Sequence, residues 1–131
     1  MRHSNSILLG AAVYEHLTQD TEIQQYVNDR IYPITVTKED TPFPFIVYSK
    51  TGIDTTYSKE DLASEDVEIQ IIVCSHKYIE SIYIAQAVRN SLELKSGTLQ
   101  GNIVKRIELI SVEEDFYADA FFQKLIFKFK L

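Results

Sequence analysis

The sequence predicts an α+β domain: an antiparallel or mixed sheet of about four to five strands, with helices packed on one face. Three observations carry this. Val67, Ile69, Ile71 and Val73 alternate with polar residues, as do positions near the C-terminus, which is the period-two pattern of half-buried strands. From His76 to Leu94 the apolar period lengthens to that of a helix. Finally, the strands come in runs around a single crossover helix, which separates α+β from a doubly wound sheet. A chain of 131 residues fits one domain, residues 1–131, and no repeat, low-complexity stretch or linker divides it.

Ile7, Ala11, Tyr14 and Leu17 recur at helical spacing, with Ser4 or Ser6 as the cap. The same stretch has the basic start and apolar middle of a signal peptide. Glu15 and His16 follow at once, so it reads better as an amphipathic helix. A second, short helix starts at Asp20, whose side chain is placed to accept from the amides of Glu22 and Ile23. It turns Ile23, Tyr26 and Val27 inward. "DRIYP", residues 29 to 33, reads as a turn into a brief extended piece stopped by Pro33, and residues 34 to 41 as a loop.

Pro42 and Pro44 lack amide hydrogens and hold Thr41 and Phe43 extended, so pairing begins at Phe45. Along Phe45, Ile46, Val47 and Tyr48 neighbouring side chains point to opposite faces, and all four are large and mostly apolar. One face suits the core. The other needs a cover, whether helix, loop or second subunit. Gly52 to Ser64 reads as polar and turn-prone, with "SKEDLASED" as a solvated charge run.

In the helix after His76, the stripe Tyr78, Ile82, Ala85, Val88 and Leu92 is widened by Ile79, Tyr83 and Ala87. So broad a face predicts a helix lying flat on a sheet, with Gly97 near its end. Ile103 to Val112 is a strand whose apolar parity switches from Ile107 and Leu109 to Ile110 and Val112, the mark of a bulge or of burial on both sides. "EEDFYADA", residues 113 to 120, reads as a turn. The last strand sets Phe121, Leu125, Phe127, Phe129 and Leu131 on one face, interrupted by Gln123. Lys124, Lys128 and Lys130 take the other face, with Phe122 and Ile126.

Chemistry is sparse. The net charge of −6 argues against a general nucleic-acid or anionic-membrane binder, and no run approaches the ~20 apolar residues of a membrane span. Lone Cys74 forms no internal disulfide and no thiolate cluster for zinc, which suits a reducing cytoplasm. His3 belongs to the terminus and His16 to the outer side of the first helix. Cys74 and His76, two apart, leave the same face of a strand, as a thiolate–imidazole pair would. With no orienting partner or oxyanion motif, Cys74 reads as a small buried hydrophobe and His76 as a turn residue. Glu113, Glu114, Asp115 and Asp119 lack the spacing and glycine of a calcium loop and read as a solvated acidic turn. "FFQKLIFKF" mixes aromatics with lysines as single-strand binders do, yet sets them mostly on opposite faces.

The sequence therefore predicts no catalytic, cofactor-binding or metal-binding residue, and no enzyme. What it has in excess is apolar area. Phe43, Phe45, Ile46, Val47, Tyr48, Phe116, Tyr117 and Phe122 form the candidate interface with a neighbouring subunit or partner.

In order and spacing these features resemble the small tail-completion proteins of long-tailed bacteriophages and prophages, the head–tail joining or tail-terminator-like family. The resemblance runs through "DRIYP", "TPFPFIVYSKTG" (residues 41 to 52), "VEIQIIVCS" (67 to 75) with the helix carrying Ala85, Val88 and Leu92, and "EEDFYADAFFQKLIFKFKL". It covers roughly residues 7 to 129. The long polar stretch from Ile53 to Asp66 departs from the pattern, as an enlarged hairpin or loop. The resemblance implies a structural protein without catalytic residues, assembling as a ring, commonly of six subunits, at the head-proximal end of the tail tube. Its partners would be itself, the tail tube protein and the head connector protein, with DNA only in passage and no membrane. It would reside in the bacterial cytoplasm during assembly and in the virion tail afterwards. A closed ring needs two different patches per subunit, for which the Phe45–Tyr48 strand and the Phe116–Tyr117 turn are the candidates. The alternative is a small cytoplasmic bacterial α+β binding or regulatory domain with no virion role.

Overall fold

The computed structural model describes residues 4–36, 41–59 and 61–131. Alternation decides its centre. In β3 (Leu62–Ser75), Val67, Ile69, Ile71 and Val73 are fully buried on one face. β7 (Ala120–Lys130) pairs antiparallel to it and adds Leu125, Phe127 and Phe129 to that face. Burying each of these large side chains is worth about 2–3 kcal/mol. β2 (Phe45–Tyr57) flanks β3 antiparallel on the other side, and β6 (Arg106–Tyr117) flanks β7. β1 (Ile31–Pro33) runs parallel to β2, so the sheet is mixed, in the order β1-β2-β3-β7-β6. The brief extended piece of "DRIYP" is thus a true strand, and it ends where Pro33 can donate no further bond.

Helices α1 (Leu9–Gln19), α2 (Thr21–Val27) and α3 (Tyr78–Leu92) belong to the core on the buried face, with α3 against β3 and β7 and α1 against β1 and β2. Asp20 caps α2 as expected, accepting from Glu22 N at 3.0 Å and Ile23 N at 3.1 Å. In α1 the inward stripe is Leu9, Ala12, Val13 and Leu17, while Ile7 is 71% exposed and Ala11 and Tyr14 also face out. Apolar residues fill most positions from 7 to 13, so periodicity alone leaves the rotation open. An anchor settles it: buried Ser6 donates to the Glu65 carboxylate at 3.0 Å and is spent there rather than on a helix cap. In α3 the buried face centres on Ile84, Ala85, Val88 and Leu92 with small Ser81, Ala87 and Ser91, and Tyr78, Ile79 and Tyr83 are exposed. The helix ends without Gly97. Leu94 takes the left-handed conformation (φ 62°) and donates its amide to Ile107 O at 2.7 Å. Gly97 instead opens a small separate hairpin, β4 (Gly97–Leu99) with β5 (Asn102–Val104), which the sequence pattern did not indicate.

Two segments read as turn-prone are mostly strand, the first forming the enlarged hairpin that is one reading of the stretch from Ile53 to Asp66. From Gly52 to Ser64 the chain continues β2 and β3, with the turn confined to the region of Ser58 and Asp61, where Ser58 N donates to Asp61 O at 2.7 Å. Thr55, Thr56 and Tyr57 have good strand propensity. Glu65, expected in a solvated charge run, is buried and accepts from Ser4, from Ser6 and from Thr55 Oγ1 at 2.9 Å. "EEDFYADA" is likewise strand through Tyr117, with only Ala118 and Asp119 in the turn. The parity switch in β6 is a bulge between Leu109 and Ser111. Of the expected loop at residues 34 to 41, positions 37–40 lie outside the described residues, as does His3.

Ala118 and Asp119 both have positive φ, 51° and 60°, the signs of a two-residue hairpin turn that Asn-Gly fits best. The double variant Ala118→Asn, Asp119→Gly is expected to raise Tm by about 3–5 °C in thermal unfolding. A lowered Tm would show that this turn is not the one formed.

Candidate functional site

The eight residues expected at an interface divide between the faces of the sheet. Ile46 and Tyr48 point toward the helices and belong to the core, so no partner reaches them. That removes Ile46 and Tyr48 from the candidate interface: they form the face of the strand that suits the core, and the chain's own helices cover it. Phe45 and Val47 lie on the face without helices. Phe45 is itself only 8% exposed, because Phe43 and Tyr32 pack on it with ring centroids 4.9 Å and 6.1 Å away. Phe43 also lies 3.9 Å from the His76 ring. The cover for this side of the strand is thus largely local.

Register carries the aromatic cluster across the sheet. Phe45 pairs with Cys74, Cys74 with Phe122, and Phe122 with Asp115. Tyr117 stacks on Phe122 at 4.3 Å and 11°. On the opposite side of the same hairpin, Phe116 packs at 4.7 Å on Phe121, which meets Tyr78 of α3 at 5.5 Å. The tip therefore carries aromatics on both faces, with Phe116 54% and Tyr117 59% exposed. These two, with half-buried Phe43, Val47 and Phe122, are the expected residues that retain outward surface.

Gln123, which seemed only to interrupt an apolar face, anchors the hairpin to α3. It is buried and donates to Ser81 Oγ at 3.2 Å and to Glu114 Oε2 at 2.8 Å. Tyr78 OH donates to the same carboxylate oxygen at 2.7 Å. These bonds, Gln123's first, hold the Glu114 carboxyl below the ordinary glutamate range, and its carboxylate raises the Tyr78 phenol. Glu113 reaches Lys124 at 3.6 Å, and Asp115 accepts from Phe116 N at 2.8 Å. Glu113, Glu114 and Asp115 thus have separate partners. Among the described residues no group of three or more His, Cys, Asp or Glu is placed to hold a metal ion.

Cys74 and His76 do not form a working pair. Burial pushes the Cys74 thiol up to about 12, which disfavours a thiolate. His76 Nδ1 lies 2.9 Å from Asp119 O, the carbonyl of the turn. His16 is half-buried rather than outward, with Nε2 3.0 Å from Ser91 O, where α1 meets α3.

The feature that residue-by-residue reading missed is the pair of open sheet edges. β6 is an outer strand, with Ile110 50% and Val112 47% exposed along it. At the opposite edge β1 covers β2 only from Ile46 to Tyr48, leaving Ser49–Tyr57 without an outer partner strand among the described residues. Exposed Ile7, Leu8 and Tyr14 lie beside that edge, where Lys50 Nζ donates to Ile7 O at 2.9 Å and the Tyr14 ring is 6.0 Å from that of Tyr48. Among the described residues no helix is long and apolar enough to cross a membrane.

Comparison with known proteins places this geometry. Residues 11–130 match the family model described as Tail completion protein gp17. A chain of the solved "Virion of native gene transfer agent (GTA) particle" shares the fold with a TM-score of 0.80 at 17% identity, over 98% of each chain. No curated protein matches the sequence.

Two expectations follow from the local chemistry. Since Glu114's folded pKa is lowered, its contribution is complete above the ordinary glutamate value of about 4.3 and is lost as pH falls through the folded value. The Tm difference between wild type and Glu114→Gln is therefore expected to shrink as pH drops from 6 to 3, and a difference constant with pH would contradict the assignment. Cys74 is expected to react with a thiol reagent about a hundredfold or more slowly in the native protein than in denaturant. Equal rates would show the site open.

Proposed function

The chain belongs to the family of tail completion protein gp17, and so is a structural protein of a phage tail; we propose that it forms a ring that caps the head-proximal end of the tail tube and joins it to the head connector. One observation carries this reading. Exposed apolar groups and unpaired strand edges lie on two different sides of the same sheet, β6 with Ile110, Val112 and Phe116 on one side, and β2 with Ile7, Leu8 and Tyr14 on the other. A closed ring of like subunits uses two such unlike patches, whereas a twofold dimer uses one. The β6–β7 tip, aromatic on both faces, is then placed to meet the tube or the connector.

The rest of the molecule agrees with such a role. An acidic chain, −6 in net charge, suits a passage that DNA must cross without sticking. The reading calls for no cofactor and no catalytic step. It places the protein in the bacterial cytoplasm during assembly and in the tail of the finished particle. The alternative of a cytoplasmic regulatory domain without a virion role loses its footing once the family is known.

Light scattering and negative-stain microscopy at high micromolar concentration, alone and with tail tubes added, test the proposal. Closed rings, free or seated at one end of the tubes, are the expected result. Phe116→Asp is expected to reduce seated rings severalfold while leaving the circular dichroism unchanged. A protein that stays monomeric in both settings would sink the reading.

A further inference from the structure

The hydrogen-bond register sets four charged residues in one row across the sheet. Asp54 of β2 pairs with Asp66 of β3, Asp66 with Lys130 of β7, and Lys130 with Arg106 of β6. From edge to edge the row reads minus, minus, plus, plus. Its interior is closed by the Lys130–Asp66 ion pair at 3.2 Å. Its ends are not: Asp54 and Arg106 sit at the two open edges, both exposed, and among the described residues Arg106 pairs only with Glu108 of its own strand, at 3.4 Å. Asp54 faces a like charge directly across its only described ladder, an arrangement that costs stability unless a cation adjoins it.

Strand direction supplies the second half of the argument. β2 runs antiparallel to β3, β3 to β7 and β7 to β6, so β6 runs opposite to β2. Repeating the sheet about an axis along the strands therefore sets β6 of one copy antiparallel to β2 of the next. With the register carried straight across, Arg106 lands opposite Asp54 of the next copy and Ile107 opposite its Ile53. Glu108 falls level with Gly52, while the bulge of β2 at Thr51 turns Lys50 to the helix-covered face, where it donates to Ile7 O. The bulge in β6 after Leu109 bends the strand at the level where β1 begins to occupy the slot beside β2.

We propose that the exposed edge of β6 docks on the Ser49–Asp54 edge of β2 in a second copy of this chain, as an antiparallel ladder registered by Arg106 against Asp54. The proposal rests on the ring reading and specifies its subunit contact. The charged row then runs on from subunit to subunit with every like-charged pair flanked by its opposite.

The test is a cysteine pair, Asp54→Cys with Arg106→Cys in a Cys74→Ala background, mildly oxidised and run on a denaturing gel. Within one chain the two positions are three strand spacings apart, about 14 Å, too far for a disulfide, so any bridge joins two copies. A ladder of covalent oligomers is expected, and neither single cysteine should extend beyond a dimer. A companion cycle uses charge reversal. Asp54→Arg or Arg106→Asp alone is expected to weaken self-association roughly tenfold, and the two together to restore it. Rings of full mass without a ladder would overturn the edge pairing and leave the ring standing. A ladder without closed rings would uphold the pairing and remove the ring. Monomers without a ladder, or failure of the double reversal to restore association, would overturn the proposal.

Discussion

One constraint organises this molecule: the sheet is sealed by helices on a single face. Val67, Ile69, Ile71 and Val73 of β3, with Leu125, Phe127 and Phe129 of β7, form a continuous apolar layer that α1, α2 and α3 cover. Because side chains alternate along a strand, sinking this layer turns every second residue outward. Lys124, Lys128 and Lys130, with Glu68 and Asp66, fall on that other face without further choice. The charged row at the level of Asp54 is thus a consequence of the core. Shifting β7 by one residue would lose the row and the core together.

Two buried polar residues tie the ends of the sheet to the rest of the chain. Glu65 gathers the hydroxyls of Ser4, Ser6 and Thr55, fixing the start of the N-terminal helix on the β2–β3 hairpin. Gln123 joins Ser81 of α3 to Glu114 of β6, fixing the opposite hairpin. A buried polar group left without its partners costs about 1–3 kcal/mol, so each cluster holds its hairpin in one position. Ordered tips matter in a protein that must meet larger assemblies. A tip already in place loses less conformational entropy on docking.

The central strands, α2 with its aspartate cap, the crossover helix and the bulge in β6 were legible because each follows from a local rule of period or capping. The rotation of α1 was not, since Ile7 to Val13 is apolar at most positions and the deciding contact, Ser6 to Glu65, spans 59 residues. The extent of the β6–β7 hairpin was missed, and composition leaves that of the β2–β3 hairpin between hairpin and loop, for a related reason. The outer end of the β2–β3 hairpin is polar because water, not core, surrounds it, and "EEDFYADA", acidic at its start, resembles a loop by composition while its pairing continues to Tyr117. Of the candidate interface, the aromatic hairpin tip was readable as excess apolar surface. Ile46 and Tyr48 were not separable from Phe45 and Val47 by composition, only by which face the helices cover.

Edges show what a sheet has been shaped to avoid. A free-standing protein blunts its outer strands with proline, short length or a covering loop. This chain does so in one place, where three-residue β1 ends in Pro33 beside Ile46–Tyr48. Among the described residues the remaining length of β2 and the whole of β6 have neither proline nor a covering loop, only one bulge each: β6 runs for 12 residues with Ile110 and Val112 half exposed. Blunting one half of an edge and leaving the other open is hard to explain by solubility, which would favour guarding both. It is what a sheet requires if the open half is to be completed by another strand. β6 begins, and the open length of β2 passes, at the level where opposite charges, Arg106 and Asp54, stand on opposite sides of the molecule. Guarded above and complementary below, the sheet favours one neighbour in one orientation over indiscriminate edge-to-edge growth.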